Sequence, residues 1–278
     1  MSDYGTLYLC ATPIGNLGDI SERCLKILSE VDLIAAEDTR QTLKLLNHFE
    51  INTKMTSYYE HNKKEKGMLL INMLKEGKNI AVVSDAGTPA ISDPGEDLVK
   101  LCIEQKIKVS PVPGAVAGIS ALICSGLPTG RFCFEGFLSM NRRQRKLHLE
   151  EVRNEKRTMI FYEAPHKLRQ TLKDFYDTFG NRRICIAREL TKKFEEIVLT
   201  DLESANEKYE ENIPKGEFVL IIEGKSEEDE KSFFENMSIS EHVLMYQKQG
   251  MSETDAMKAA AKDRGLRKSD IYNELKKK

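Results

Sequence analysis

Charged and small polar residues in this sequence collect directly after short apolar runs. Glu37-Asp-Thr-Arg40 follows the run at residues 33–36, and Asp85-Ala-Gly-Thr88 follows the β-branched run at residues 80–84. A carboxylate in such a loop can accept a proton or a hydrogen bond from a ligand, and glycine leaves backbone amides open to a ligand. Helix capping alone would explain Asp38. The pattern predicts a small-molecule site without identifying its ligand.

Four other loops with unusual composition also follow apolar runs, at residues 12–18, 113–120, 163–167 and 188–195. The loop at 113–120 is built of small residues, which allow a ligand or a neighbouring backbone to approach closely. The segment at 188–195 is densely charged. Prolines and glycines in these loops could serve only the turns themselves, so each loop on its own is a weak signal.

The first half of the chain alternates strands with helices. Strands are predicted at residues 6–11, 33–36, 80–84 and 108–112. Helices are predicted from a cap formed by Asp19 and Glu22 to about residue 29, from residue 37 onward, over 63–75, and from the capping sequence Asp93-Pro-Gly-Glu96 to about residue 105. This alternation indicates a parallel sheet covered on both faces, with the loops meeting at its carboxyl edge, where ligands of such sheets bind.

The second half predicts a mixed sheet. Strands are expected at residues 132–137, 158–162, 184–187, 196–200 and 216–224, with helices over 142–154 and from Pro165 to about 179. Only a few residues separate the strands at 184–187 and 196–200, too few for a crossover helix, so they form an antiparallel hairpin. We interpret residues 1–125 as an N-terminal lobe and residues 126–224 as a second α/β lobe.

Residues 225–278 are predicted to form a linker and a small helical region. The stretch at 225–231 is charged and non-periodic. Helices are expected over 238–250, from Ser252 to residue 264, and from Ser269 onward. The last two resemble a helix-turn-helix whose apolar positions need the first helix as cover. Those positions are Ala256, Ala259, Ala260, Leu266, Ile271 and Leu275.

Bulk composition narrows the function classes. The 278 residues are 40% apolar, which suffices for a substantial core, and the net charge of −2 excludes a uniformly basic nucleic-acid binder. Lys and Arg exceed acidic residues locally, seven to three over 140–157 and eight to five over 251–278. A solvated helix face explains such an excess more often than a phosphate contact does, so neither segment proves RNA binding. No apolar run is long enough for a membrane span, so the expected location is the cytoplasm.

The sequence motifs also argue against a metal- or disulfide-stabilised protein and against a nucleotide-binding enzyme. The six cysteines are scattered without a C-x-x-C pair, so neither a metal site nor a disulfide framework is expected. The chain also lacks the dinucleotide fingerprint G-x-G-x-x-G and the phosphate-binding sequence G-x-x-x-x-G-K-[ST].

Seven segments, in this order, are similar to a known family. They are Thr12-Pro-Ile-Gly-Asn-Leu-Gly-Asp-Ile-Ser21, Ala36-Glu-Asp-Thr-Arg40, Ser84-Asp-Ala-Gly-Thr-Pro-Ala-Ile-Ser-Asp-Pro-Gly95, Val112-Pro-Gly-Ala115, Phe161-Tyr-Glu-Ala-Pro-His166, Ala187-Arg-Glu-Leu-Thr-Lys192 and Gly216-Glu-Phe218. Together they resemble the ribosomal RNA small subunit methyltransferase I family, a branch of the tetrapyrrole-methylase-like class III S-adenosylmethionine methyltransferases. The resemblance spans residues 5–224.

The resemblance implies a two-lobed α/β fold of the tetrapyrrole-methylase type, with a mostly parallel N-terminal sheet, a mixed second sheet and a small C-terminal helical piece. It also implies a homodimer that binds S-adenosylmethionine between its lobes and methylates the ribose 2'-hydroxyl of a cytidine in the P-site region of 16S rRNA, in the 30S subunit. The cofactor-binding residues it implies are Pro13, Asp85, Gly87, Thr88, Ile91, Pro113, Gly114, Ala115, Tyr162, Ala164, Pro165, Leu190, Thr191, Gly216 and Glu217.

A ribose hydroxyl is a poor nucleophile, so a residue that accepts its proton is expected near the transferred methyl group. Candidates are Glu37, Asp38, Glu163, Glu189 and Lys192, the last only if burial lowers its pKa. Arg40 is a further catalytic candidate that could orient the ribose or bind phosphate. A salt-bridge role explains each of these charges equally well.

Two other functions stay open at this point. A tetrapyrrole C-methyltransferase would act on uroporphyrinogen or a precorrin, but the matches at residues 37–40 and 188–195 and the basic C-terminal region favour RNA. A non-catalytic RNA-binding assembly factor would bind 30S subunits without transferring a methyl group, and the intact cofactor loops disfavour it.

Overall fold

The computed structural model describes residues 4–226, 237–248 and 250–276. Its first sheet consists of β1 (Thr6–Cys10), β2 (Leu33–Ala36), β3 (Met55–Ser57), β4 (Ile80–Val83) and β5 (Lys108–Val112). All neighbouring strands are parallel, in the order β3-β2-β4-β1-β5. The predicted parallel sheet is thus confirmed. Only β3, three residues long, was not predicted.

Helices cover both faces of this sheet. They are α1 (Glu22–Glu30), α2 (Thr39–His48), α3 (Lys63–Lys75) and α4 (Gly95–Glu104). Successive side chains of a strand point to opposite faces, so Leu33 packs with α3 and α4 whereas its neighbour Ile34 packs with α1 and α2. Burial on both faces explains why β2 and β4 are apolar without alternation.

The second sheet is mixed, as predicted. Its strands are β6 (Phe132–Phe137), β7 (Thr158–Glu163), β8 (Arg183–Arg188), β9 (Glu196–Asp201) and β10 (Phe218–Ile222), in the order β6-β7-β10-β8-β9. β6 and β7 are parallel, and the other pairs are antiparallel. The predicted hairpin is the β8–β9 pair.

Four helices flank the second sheet: α5 (Ala117–Cys124), α6 (Arg142–Val152), α7 (Leu168–Phe179) and α8 (Leu202–Glu211). Side chains of α6, α7 and α8 fill one face, whereas Ala121 and Leu122 of α5 pack on the other. Helix α5 therefore packs against the second sheet, although it precedes the boundary predicted at 125/126. The division into three parts stays a prediction.

The C-terminal region contains α9 (Ile239–Lys248), α10 (Glu253–Asp263) and α11 (Lys268–Lys276), which share a core around Val243, Ala260 and Ile271. The predicted cover by the first helix is present. Two positions expected in that core differ, because Ala259 is only half-buried and Leu266 is 42% exposed. Most of the linker predicted at 225–231 lies outside the described residues.

Local capping explains where several helices begin. The cap predicted from Asp19 is wrong: Asp19 ends a 3₁₀ turn (Leu17–Asp19), and the Ser21 hydroxyl accepts the Cys24 amide at 3.2 Å because it is closer to the first free amides of α1. Asp93 accepts the Gly95 amide at 2.7 Å, but α4 begins one residue later than predicted, at Gly95, so the N-cap position is held by Pro94 and not by Asp93. Among the described residues, every helix is too short or too polar to cross a membrane.

Candidate active site

A cavity of about 570 Å³ lies where the carboxyl edge of the first sheet faces the second sheet. This volume is within the range of small-molecule and cofactor sites. The first sheet contributes the loops after β2 and β4, and the second contributes the ends of β7 and β8 and the start of β10. Its lining consists of Ile14, Glu37, Ser84, Asp85, Ala86, Gly87, Thr88, Ile91, Ser92, Asp93, Val116, Ala117, Phe137, Tyr162, Glu163, Ala164, Pro165, Ala187, Leu190, Glu217, Phe218 and Val219.

Two carboxylates, Glu37 and Asp85, line this cavity side by side. Strands β2 and β4 pair in register from Leu33 with Ile80 to Ala36 with Val83, so the residues that follow them come close together. The Asp85 amide donates a long hydrogen bond of 3.4 Å to Glu37, and Asp85 accepts the Asp38 amide at 3.0 Å.

Both carboxylates titrate above their ordinary range. Burial, together with the negative charge of Asp85, raises the pKa of Glu37. Burial also raises the pKa of Asp85, although its hydrogen bond from the Asp38 amide opposes the shift. Removal of a carboxylate from water disfavours its charged form, and a second carboxylate nearby adds to this cost. A cationic ligand in the cavity would relieve it.

The Asp93 side chain holds the part of the β4–α4 loop that comes directly before α4. The Asp93 carboxylate accepts the backbone amides of Ala90 at 3.0 Å, Ile91 at 3.3 Å and Gly95 at 2.7 Å. Ala90 and Ser92 have φ values of 67° and 63°, a conformation that costs non-glycine residues about 1–2 kcal/mol each. The loop is therefore kept in a defined, strained shape against the cavity.

Gly87 brings the loops after β1 and β4 together. Its backbone exchanges two hydrogen bonds with Thr12, at 2.9 and 3.1 Å. Its φ is 81°, and a Cβ there would come within 3.1 Å of Ile14 and 3.3 Å of the Ala115 carbonyl. Only glycine fits this position without strain. The Thr88 hydroxyl, next in the chain, also donates to the Ala115 carbonyl at 3.0 Å.

The second sheet contributes Tyr162 and Glu163. The Tyr162 hydroxyl accepts the Gly118 amide at 3.0 Å, which links β7 to the beginning of α5, and burial raises its pKa. Glu163 is 4% exposed. One of its carboxylate oxygens accepts the Ala164 amide at 2.8 Å, and the other accepts the Thr171 hydroxyl. Glu163 is thus held on both oxygens.

The β8–β9 tip carries a charge network beside the cavity. Lys192 donates to Glu189 and Glu217, both at 2.9 Å. Burial lowers the pKa of Lys192, but these hydrogen bonds outweigh it, so the net direction is upward. Lys192 could act as a base only if its pKa were lowered, and in the structure its pKa is raised. The Glu217 amide, which donates to Glu189, lowers the pKa of Glu189.

Eleven of the predicted site residues line the cavity: Glu37, Asp85, Gly87, Thr88, Ile91, Tyr162, Glu163, Ala164, Pro165, Leu190 and Glu217. Pro13 lies in a shallower adjoining depression, which shares Ser84 and Asp85 with the cavity.

The remaining predicted residues lie behind or beside the cavity wall. Gly114 packs against Ala11, directly after β1, so closely that an added Cβ would lie 2.8 Å from the Ala11 Cβ. Gly216 packs against the Glu189 side chain, which an added Cβ would likewise overlap. Pro113 and Ala115 flank Gly114. Asp38 and Arg40 pair with each other at 2.6 Å on the surface, where the Arg40 guanidinium lowers the pKa of Asp38 to about 2.

Thr191 differs from the other residues outside the wall. Its hydroxyl is buried and has no hydrogen-bond partner among the residues that the structure describes. It lies next to the loop after β1, where a Cβ on Gly15 would be 2.9 Å from the hydroxyl oxygen. The hydroxyl is thus buried between the β8–β9 tip and the loop after β1, outside the cavity lining.

Sequence reasoning missed the apolar part of the lining, notably Ile14, Val116 and Phe137. Val116 and Ala117 lie within the small-residue loop recognised at residues 113–120, so their proximity to the cavity could have been inferred from it. Phe137 ends a strand parallel to β7, and its register partner is Tyr162. That pairing could not be derived before the strand order was known.

The family model of Tetrapyrrole (Corrin/Porphyrin) Methylases matches residues 6–206. A protein of Halalkalibacterium halodurans named "Ribosomal RNA small subunit methyltransferase I" is 53% identical over 98% of this chain and 94% of its own length. The protein of the same name in Bacillus subtilis is 45% identical over 98% of this chain and 94% of its own length.

Solved structures with the same fold are more distant in sequence. Diphthine synthase aligns with a TM-score of 0.61 at 13% identity, covering 80% of this chain and 91% of its own. Uroporphyrin-III-C-methyltransferase from Thermus thermophilus aligns with a TM-score of 0.56 at 16% identity, covering 79% and 94%. At such identities the likeness concerns the fold alone, and it confirms the expected tetrapyrrole-methylase architecture.

Proposed function

The chain belongs to the ribosomal RNA small subunit methyltransferase I family, and from this premise we propose that it methylates 16S rRNA with S-adenosylmethionine, at the ribose 2'-hydroxyl of a cytidine in the P-site region of the 30S subunit. The observation that carries the proposal is the cavity at the carboxyl edge of the first sheet, with Glu37 and Asp85 in its wall. Near full-length similarity to relatives named for ribosomal RNA supports the choice of substrate.

The residues present fit S-adenosylmethionine. Two carboxylates favour a ligand with positive charge, and glycine at position 87 lets the loops after β1, β4 and β5 pack together in the cavity wall. Asp85 would bind a ribose hydroxyl or the ammonium group, and Leu190 and Tyr162 would contact apolar parts. When bound, the cofactor supplies an electrophilic methyl group.

We assign the role of general base to Glu37. Of the candidate bases, only Glu37 and Glu163 line the cavity. Glu163 is already engaged through both oxygens, Asp38 is neutralised by Arg40, and Lys192 stays protonated. The raised pKa of Glu37 makes it a stronger proton acceptor than an ordinary carboxylate.

The decisive experiment uses 30S subunits from cells without this methylation. The protein is incubated with them and labelled S-adenosylmethionine, and the label is located by nucleoside mass spectrometry. We expect it on the 2'-oxygen of a cytidine. Label on a base, or none, contradicts the proposal. Salt-dependent binding to 30S without transfer would indicate an assembly factor, and methylation of uroporphyrinogen or a precorrin would indicate a tetrapyrrole enzyme.

Replacement of Glu37 tests the base. Glu37→Gln removes the proton acceptor at nearly constant shape, so kcat should fall about 10²–10⁴-fold while the affinity for S-adenosylhomocysteine changes little. Glu163→Gln serves as the comparison. An equal or larger loss of kcat for Glu163→Gln, with its fold intact by circular dichroism, would transfer the role to Glu163.

The homodimer expected from the resemblance also stays a proposal. Exposed apolar side chains on α5 and β9 support it: Ile119 is 40%, Ile123 71% and Leu199 46% exposed. Light scattering after size exclusion should give twice the chain mass of 31.6 kDa. A protein that modifies the small ribosomal subunit is expected in the cytoplasm.

A further inference from the structure

A β-bulge in β6 changes which side chains face the cavity. Phe134 pairs with Ile160, but the next pair along the strands is Gly136 with Phe161, so Glu135 is an extra residue without a partner on β7. Gly136 adopts a φ of 64°, which suits glycine. Bulges of this kind redirect the side chains that follow them and are found beside active sites.

The bulge brings two phenylalanines to one side of the strand. Residues three apart in a regular strand face opposite sides, yet the rings of Phe134 and Phe137 both contact Tyr162, at 5.1 and 5.5 Å between centroids. Glu135 turns away and pairs with His148 of α6 at 2.9 Å. The edge-on contacts with Tyr162 fix both rings, which are held in place before any substrate binds.

These rings are left uncovered at the mouth of the cavity. Phe137 is 55% and Phe134 39% exposed. Phe137 and Ser92 line both the cavity and an open depression next to it, whose other walls are Phe134, Glu135 and Gly136. The cofactor cavity therefore continues into an aromatic-walled space that the described residues do not fill.

Unpaired cations follow within a few residues. Arg142, Arg143 and Lys146, at the start of α6, are exposed, and their side chains make no hydrogen bond or ion pair within the described chain. Arg142 lies five residues beyond Phe137, which places the two Cα atoms less than about 18 Å apart. An aromatic surface with free cations beside it is the combination that binds unpaired nucleotides, since bases stack on the rings and phosphates attract the cations.

We infer that Phe137, supported by Phe134, is the surface on which the base of the target nucleotide stacks while its ribose enters the cavity. Arg142 and Arg143 would bind the phosphates next to that nucleotide. The inference rests on the proposed RNA substrate. Where a nucleotide of a structured RNA is splayed out of its stack, an aromatic side chain of the protein replaces the lost stacking. Phe137 is then a substrate-positioning residue, distinct from the residues expected to bind the cofactor.

Substitution of Phe137 tests this role against unmodified 30S subunits. For Phe137→Ala we expect kcat/KM for the subunit to fall about 5- to 150-fold, the range that stacking of one base spans. Phe137→Trp should restore most of it, because it keeps an aromatic surface. The affinity for S-adenosylhomocysteine, measured by calorimetry, should stay within twofold of the wild type in both variants.

Phe132→Ala is the matched control. Phe132 lies on the same strand and is 39% exposed, but it is absent from the lining of the cavity and of the adjoining depression. It should leave kcat/KM within twofold. The inference is overturned if Phe137→Ala matches the wild type, if Phe137→Trp restores nothing, if the loss of activity equals a loss of cofactor affinity, or if the variant changes the oligomeric mass.

A second readout separates this inference from the proposed reaction. Fluorescence anisotropy measures binding of a labelled ten-nucleotide single-stranded RNA to the wild type and to Phe137→Ala. If the wild type binds this RNA more tightly than the variant but transfers no methyl group to 30S, the stacking surface stands and the proposed reaction falls. If both proteins bind the RNA equally, the stacking surface is refuted whatever the reaction.

Discussion

Glu37 and Asp85 lie 48 residues apart in sequence, and strand pairing alone brings them together. Because β2 and β4 are parallel neighbours that end in register, the first polar residues after each strand meet at one edge. The position of Glu37 and Asp85 at this edge could be predicted from the sequence, since an acidic residue directly follows each of the two apolar runs. The hydrogen bond between the two residues and the upward shift of the pKa of Glu37 depend on the strand order β2-β4-β1, which the sequence did not reveal.

The raised pKa of Glu37 implies that its charge destabilises the fold. Below about pH 4.5, the ordinary pKa of glutamate, the carboxyl is neutral in both the folded and the unfolded chain, so it does not affect stability. As pH rises toward and through the higher pKa of the folded chain, the cost of the charge in the folded state lowers the free energy of unfolding. Glu37→Gln should therefore increase the free energy of unfolding at pH 7.5, with the gain shrinking toward pH 4.5. Urea denaturation at both pH values measures this.

Glu65→Gln, on the exposed side of α3, controls for a general effect of charge removal. If Glu37→Gln is no more stable than the wild type at pH 7.5, or gains equally at both pH values, the buried charge carries no penalty.

Asp85 combines a charge with a structural acceptor, and two substitutions separate them. Asp85→Asn keeps an oxygen for the Asp38 amide but removes the charge, so we expect about a tenfold loss in affinity for S-adenosylhomocysteine. Because the pKa of Asp85 is raised like that of Glu37, the same variant should gain unfolding free energy at pH 7.5. Asp85→Ala should abolish measurable binding and be less stable than Asp85→Asn by about 1 kcal/mol, because the Asp38 amide loses its acceptor. Calorimetry and urea denaturation measure the two effects. Unchanged affinity in Asp85→Ala would remove Asp85 from the site.

At the scale of elements, loops rather than strands decide the shape of the site. The strands and most helices followed from apolar periodicity, because burial on one or two faces imposes that pattern. The bulge at Glu135 and the left-handed residues Ala90 and Ser92 did not, since they depend on contacts between segments distant in sequence. A glycine within a strand, as at Gly136, is a signal of a bulge, but it does not say which residue is extra.

The loop between β4 and α4 should depend on Asp93. Asp93→Ala leaves three backbone amides without their acceptor, so we expect a loss of about 1–3 kcal/mol in unfolding free energy. It also lets Ala90 and Ser92 leave their strained conformation, which changes the shape of the loop and should raise KM for S-adenosylmethionine. Asp93→Asn retains an oxygen for the amides of Ala90 and Gly95 and should lose less. If the two variants behave alike in urea denaturation and in KM, the carboxylate does not hold the loop.

At the scale of the whole molecule, the two sheets meet at the cavity and the C-terminal helices form a core of their own. Helices α10 and α11 carry four lysines, among them the exposed Lys262 and Lys268, against five acidic residues, so the basic excess of residues 251–278 comes from Arg264 and Arg267 between the two helices and from the last two lysines of the sequence. A site open at the mouth and a net charge of −2 give little general attraction for RNA, so local positive surfaces have to supply it. We therefore predict that exposed lysines of the C-terminal helices contribute to RNA binding.

Charge reversal on these helices should weaken binding to the 30S subunit without touching the cofactor site. The plot of log K against log salt concentration has a negative slope, and each lost phosphate contact makes it shallower by about 0.7–0.9. Lys262→Glu combined with Lys268→Glu should therefore reduce the magnitude of the slope by about 1.4–1.8. Affinity for S-adenosylhomocysteine should not change. Lys64→Glu with Lys100→Glu, on the outer surfaces of α3 and α4, makes the same change in net charge and should leave the slope nearly intact. Equal slopes for the two double variants would mean that net charge, and not the C-terminal surface, attracts the RNA.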